Sequence, residues 1–128
     1  MVTLNIHDKR PIYVQLIDGI KEQVLKGFLQ PGDRICSIRQ LASDLSINPN
    51  TVARAYAELE RQKIIVSAKG RGNFINEQLY FNKKNEDKKV EVKKKLTQLC
   101  IDWKFAGYDE SEFKEMLDDV YRELEKES

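Results

Sequence analysis

The stretch SIRQLASDLSINPNTVARAYAELERQK, Ser37–Lys63, decides the fold. Ser37 followed three residues later by Gln40 has the pattern of a reciprocal capping box, in which the hydroxyl and the amide each satisfy an orphan backbone donor, so a helix starts here. Its apolar face, Ile38, Leu41, Ala42 and Leu45, is short, and Ser46-Ile47 breaks it. Asn48 then suits the N-cap of another helix, and Pro49 suits that helix's first position, where a missing N–H costs nothing. The second helix runs through Val52, Ala55, Tyr56 and Leu59 towards Lys63. A short helix, a very short turn and a longer helix spell a helix-turn-helix.

Upstream, Pro11 opens a segment with Ile12, Leu16, Ile17, Ile20 and Val24 on one helical stripe, and Gly27 lies just beyond as its stop. Leu29-Gln30-Pro31-Gly32-Asp33 reads as a turn, since Pro fixes one torsion and Gly tolerates positive φ. Downstream, Ile64-Ile65-Val66 and Phe74-Ile75 flank Lys69-Gly70-Arg71-Gly72, which predicts two strands around a glycine-containing hairpin, a wing.

From about Glu77 to Lys89 the chain is polar and lysine-rich, and we read residues 77–89 as a linker that runs towards the next helix. Beyond it Val92, Leu96, Leu99, Trp103 and Ala106 step 4, 3, 4, 3, as a coiled-coil seam requires, and Gly107 ends that helix. Asp109 with Glu112 forms a further capping box, with Tyr108 and Phe113 at its staple positions. Phe113, Leu117, Val120 and Leu124 then step 4, 3, 4. The expected fold is mostly α with a small β-hairpin: a winged helix-turn-helix domain at residues 1–76 and a two-helix dimerisation arm, expected as a helical hairpin, at 90–128.

Composition narrows the function. The 128 residues are 41% hydrophobic and 34% charged. No run approaches the roughly 20 apolar residues of a bilayer span, and MVTLNIHDKRP lacks a basic-then-apolar export pattern, so a cytoplasmic protein with no membrane partner is expected. The net charge of +1 conceals an asymmetry. Residues 1–76 hold eleven Lys/Arg against seven Asp/Glu, and residues 77–128 hold eleven against fourteen. Cys36 and Cys100 are far apart and His7 is the single imidazole, so neither a metal site nor a disulfide framework is expected. With no phosphate-binding glycine loop and no nucleophile–base set, an enzyme is not expected, and no cofactor.

A basic front with a helix-turn-helix points to nucleic acid. On a wheel of about 100° per residue counted from Asn50, Arg54 falls near 40° and Thr51 near 100°, whereas Val52, Ala55, Tyr56 and Leu59 fall at roughly 140° to 240°. Asn50, Thr51 and Arg54 can therefore meet base edges or phosphates while the apolar set packs inward. Arg39, in the first turn of the preceding helix, can grip guanine or phosphate with two donors; its alternative is a surface pair with Asp44 or Glu58. Lys69, Gly70 and Arg71 at the wing tip suit the minor groove or its phosphates, with a merely solvated turn as the alternative.

Taken together, Pro11-Ile12-Tyr13, Gly27-Phe28-Leu29-Gln30-Pro31-Gly32-Asp33, Ser37-Ile38-Arg39-Gln40-Leu41-Ala42, Asn48-Pro49-Asn50-Thr51-Val52, Ala55-Tyr56-Ala57-Glu58-Leu59-Glu60 and Gly70-Arg71-Gly72 closely resemble the GntR family of bacterial regulators. The resemblance covers residues 10–76, and the short C-terminal part is similar to the YtrA subfamily. It implies a dimeric repressor on an inverted-repeat operator, with contacts from Ser37, Arg39, Asn48, Asn50, Thr51 and Arg54 and from the wing at Lys69 and Gly70. It also implies membrane-transporter genes as targets. Cys36 departs from a usual proline and Asn73 from a usual threonine.

The homodimer has a physical motive as well, since burying each large apolar side chain is worth roughly 1.5–3 kcal/mol and a lone arm leaves Leu99, Trp103, Leu117 and Val120 wet. Val92, Leu96, Phe113 and Leu124 complete the expected dimer surface. An arm this small encloses no ligand cavity, so a small-molecule effector, of unknown identity, is expected between subunits or between arm and head. The fold alone leaves open a protein-binding or non-specific nucleic-acid-binding module.

Overall fold

The computed structural model describes residues 2–79 and 83–125, and residues 80–82 of the expected linker and 126–128 of the arm lie outside these. The chain forms two compact units, a head, Met1–Leu79, and an arm, Tyr80–Glu125. Among the described residues no helix is long and apolar enough to cross a membrane.

The head contains α1 (Ile12–Leu25), β1 (Arg34–Ile35), α2 (Ile38–Leu45), α3 (Pro49–Arg61), β2 (Ile65–Ala68) and β3 (Gly72–Ile75). α1 stops where expected: Gly27 takes φ +83°, and the Phe28 amide folds back to the Gln23 carbonyl at 2.9 Å. α2 ends on Ser46 in the left-handed region, and the Ile47 amide returns to the Ala42 carbonyl. That sharp exit sets the direction in which α3 begins, with Pro49 as its first residue.

Helix α3 is the centre of the head. It packs on both α1 and α2, and its inward residues Val52, Ala55, Tyr56 and Leu59 join Leu16, Ile17, Ile20 and Val24 of α1 in one core. Ala42, Ile35, Ile65 and Ile75 close it from α2 and the sheet. The buried Tyr56 keeps its phenol satisfied by donating to the Cys36 carbonyl at 2.6 Å, and burial pushes its pKa well up, so it stays a donor.

The sheet corrects the two-strand expectation, since three antiparallel strands form in the order β1-β3-β2. β2 and β3 make the expected hairpin, with Ile65 opposite Ile75 and Ala68 opposite Gly72. β1 adds Arg34 opposite Phe74 and Ile35 opposite Asn73. The Pro31-Gly32 turn delivers it: Gly32 takes φ +87°, its amide donates to the Ile75 carbonyl, and the Ile75 amide donates to Asp33. A strand of two residues is too short for any alternation to show in sequence.

In the arm, α4 (Glu86–Phe105) begins under an Asn85 cap, four residues before the linker was expected to end. Asn85 Oδ1 accepts from the Lys88 amide, and Glu86 and Asp87 offset the positive helix end, so the last four residues of the expected linker, Lys88 and Lys89 among them, are already helical. α5 (Glu110–Glu123) begins at Asp109, whose carboxylate accepts from the Glu112 amide at 2.9 Å. Between them, Trp103 stacks on Tyr108 at 4.4 Å, meets Phe113 edge-on at 5.5 Å and donates its indole N–H to the Asp109 carbonyl. The expected helical hairpin does not form, as the two helices do not pack along their lengths.

Candidate nucleic-acid interface

The N-termini of α2 and α3 are built alike. Ser37 Oγ accepts from the Gln40 amide at 3.0 Å, and Asn48 Oδ1 accepts from the Asn50 amide at 2.8 Å. The reciprocal half of the expected box is absent at α2, where the Gln40 amide group donates to Asp44 at 2.7 Å instead. Neither helix has an acidic residue in its first turn, so both positive ends are left bare for an anion. The caps serve folding, yet the Ser37 hydroxyl proton and the Asn48 amide N–H groups are still free to donate outward.

Around these two ends lie the expected contact residues. Asn50 and Arg54 are exposed on α3, Thr51 is half-buried, and Arg39 is exposed on α2. The alternative partners of Arg39 are both occupied: Asp44 accepts from Gln40, and Glu58 is gripped by Arg61 at 2.7 Å. Those Arg61 bonds hold the Glu58 carboxyl below its usual range. Among the described residues Arg39 makes no hydrogen bond or ion pair, which leaves its whole guanidinium fork available.

Arg54 is held by a residue to which the sequence reading assigned no role. Its guanidinium carbon lies 3.7 Å from the centre of the Tyr13 ring on α1. A cation over an aromatic face is attracted by the ring quadrupole and loses rotamer freedom before any ligand arrives. The available signal was an aromatic just off the buried stripe of α1, facing an arginine whose nearness only the packing of α1 on α3 creates.

The wing carries Lys69, Gly70 and Arg71, all exposed. Gly70 takes φ +77° with nothing within 4 Å of where a Cβ would stand, so backbone can approach a phosphate closely there. Gly72 sits at φ +113°, a conformation that side-chain-bearing residues rarely adopt, and the Arg34 Nε lies 3.0 Å from where a Cβ would stand. Arg34 thus crosses from β1 beneath the wing, adding a cation that the two-strand expectation had no means to place.

Cys36 is exposed beside the Ser37 cap, and Cys100 in the arm is half-buried; both are free thiols. A half-open, mostly apolar cavity of about 320 Å³ lies behind α2, bounded by Leu29, Ile35, Cys36, Leu41, Leu45 and Tyr56 among others. That is the lower end of the size range of small-molecule sites.

Residues 12–75 match the family described as bacterial regulatory proteins, gntR family. The chain is 40% identical over 123 residues to the HTH-type transcriptional repressor YtrA of Bacillus subtilis, covering 94% of this chain and 92% of that one. A crystal structure from Listeria monocytogenes EGD-e, titled a transcriptional antiterminator, superposes with a TM-score of 0.89 at 40% identity, covering 97% of this chain and 92% of the other. YtrA from Sulfolobus acidocaldarius, a GntR-family transcription factor, superposes at 0.61 with 34% identity, over 75% of this chain and 97% of its own.

Proposed function

Because the chain belongs to the GntR family of DNA-binding transcription regulators, we propose that it represses transcription by binding an inverted-repeat operator as a homodimer. In this scheme residues 1–76 bind DNA, residues 90–128 join the two copies, and the stretch between them, already helical from Glu86, connects the two functions. Each head lays α3 in the major groove, with Asn50, Thr51 and Arg54 towards the bases and phosphates. Arg39 reaches the same groove from α2. Ser37 and Asn48 donate to phosphates at the bare helix ends. Lys69, Gly70 and Arg71 rest on the flanking minor groove.

The observation that carries this is the unpaired Arg39 in the first turn of α2, with neither α2 nor α3 placing an acidic residue in its first turn. Asp44 and Glu58, the carboxylates that the sequence offered it, are committed to Gln40 and Arg61 instead. Membrane-transporter genes are the targets we expect, as for the subfamily. A small-molecule effector, if one acts, has a place to bind within the head in the cavity behind α2, which touches the helix that carries Arg39.

The test is a salt titration on two duplexes, one with the inverted repeat of the gene's own promoter and one of random sequence. A specific regulator prefers its site by at least about 10³ at physiological salt. Equal affinities would favour a non-specific nucleic-acid-binding module.

A further inference from the structure

The cavity of about 320 Å³ behind α2 has the walls of a ligand site. Ile20 of α1, Leu29, Ile35 of β1 and Leu41 and Leu45 of α2 supply apolar surface, and Tyr56 lines it from α3. Val2 adds a wall from the N-terminal segment, which lies so close on α1 that a Cβ at Gly19 would sit 2.7 Å from Val2 Cγ1. A volume of this size equals the share of about ten waters in the liquid, which suits a ligand of about ten non-hydrogen atoms.

Two charged residues also line it, and they differ in how far they are committed. Asp44 already accepts from Gln40 at 2.7 Å. Arg34 is exposed and makes no hydrogen bond or ion pair among the described residues, so its donors are free. Its guanidinium also lies beneath the wing, with Nε 3.0 Å and Nη2 3.3 Å from where a Cβ on Gly72 would stand. A planar fork of donors beside apolar walls selects a carboxylate carried on an apolar body.

We propose that this cavity binds a small apolar carboxylate through Arg34, and that its occupation weakens the grip of the head on operator DNA. The second half rests on the DNA-binding reading above; the first does not. The sign follows from charge, since a carboxylate on Arg34 cancels a cation beneath the wing, which meets phosphate in that reading. Packing acts in the same place. α2 buries Ala42 alone, and it turns Leu41 and Leu45 to the cavity, whereas Arg39 stands about 200° around the helix from Leu41. A guest that presses on those leucines therefore moves the arginine on the opposite face. Ile35 and Cys36 lead from the cavity wall directly into Ser37, the cap of the same helix.

Octanoate, octanamide and octylamine share one apolar body of the right size and differ in the head group, so they are the probes, used on the full chain. In an NMR titration octanoate should shift the backbone amides of Ile35, Leu41 and Leu45 and bind about threefold tighter than the other two, the worth of one exposed charge pair. It should slow alkylation of Cys36, which lines the cavity, and leave that of Cys100 in the arm unchanged. Leu45→Phe, which fills the cavity, should abolish these responses while operator affinity without probe is retained. Arg34→Gln should keep the site and erase the preference for the carboxylate. Saturating octanoate, against an equal concentration of acetate, should weaken operator binding at least about fivefold, and operator should weaken octanoate binding by the same factor, because coupling is reciprocal.

Equal or tighter binding of octylamine or octanamide overturns the ligand class. No shift at the cavity, or shifts that survive in a folded Leu45→Phe chain, overturn the site. Octanoate bound with operator affinity unchanged overturns the coupling. If the parent chain does not prefer its operator to random duplex, the DNA-binding reading falls and the coupling with it, while the titration decides the cavity by itself.

Discussion

The head and the arm use the same helix-starting chemistry for opposite purposes. All four capped helices, α2, α3, α4 and α5, begin with a side chain that accepts a backbone N–H. The arm helices then place acids in the first turn, Glu86 and Asp87 on α4 and Glu110 and Glu112 on α5, where the macrodipole rewards them. The head helices α2 and α3 forgo that gain. Stability alone gives no reason to leave the positive ends of both head helices bare, but a polyanion that will approach them does. The apolar surface is divided the same way: the head closes its core inside one chain, whereas no residue of either arm helix is buried.

In the homodimer proposed above, that contrast makes the arm's stability a matter of concentration and the head's a matter of packing. The largest effect should come from Leu99→Asp, which puts a charge in the shared seam. It should yield monomers by sedimentation and lose operator affinity by about 10²- to 10⁴-fold, because the second half-site is no longer tethered. The dilute head should unfold in urea as before, and a variant that remains dimeric would contradict the assignment of this seam. Leu59→Ala probes the other side, since Leu59 is fully buried. It should cost roughly 2–5 kcal/mol of head stability, with a urea midpoint shift that does not depend on protein concentration.

Smaller effects sharpen the recognition side. Arg39→Ala should cost about 1–3 kcal/mol of operator binding and relax discrimination at one base pair. A loss spread evenly over all sequences would assign Arg39 to phosphate. Tyr13→Ala should weaken binding by only about 0.5–1 kcal/mol, the worth of an exposed cation–π contact, whereas Tyr13→Phe should leave it unchanged. The loss should vanish in an Arg54→Ala background, and a double-mutant cycle on operator affinity is the check.

The helix-turn-helix was legible because its signals are local. Ser37, Asn48 and Pro49 act within one turn of their own positions, and the 3.6-residue period of α3 separates Asn50 and Arg54 from Val52 and Leu59 without reference to any other element. β1 was invisible because two residues carry no period, and its pairing depends on β3, nearly forty residues later in the chain. Tyr13 and Arg34 were passed over for the same reason: each acquires its role from a neighbour distant in sequence. The arm misled differently. Two apolar helices joined by a short connection ordinarily fold back on each other, whereas here Trp103, Tyr108 and Phe113 cluster at the connection and the helices do not pack along their lengths.

What the amino-acid order settled by itself was the kind of protein: local caps, periods and a basic first half suffice to specify a DNA-binding winged head and an apolar appendage. What only the tertiary structure decided was which groups are spoken for. It committed Asp44 and Glu58 away from Arg39, laid Arg54 on Tyr13, and kept α5 off α4. Propensity and periodicity are properties of a segment, whereas availability depends on every group that packing brings within reach.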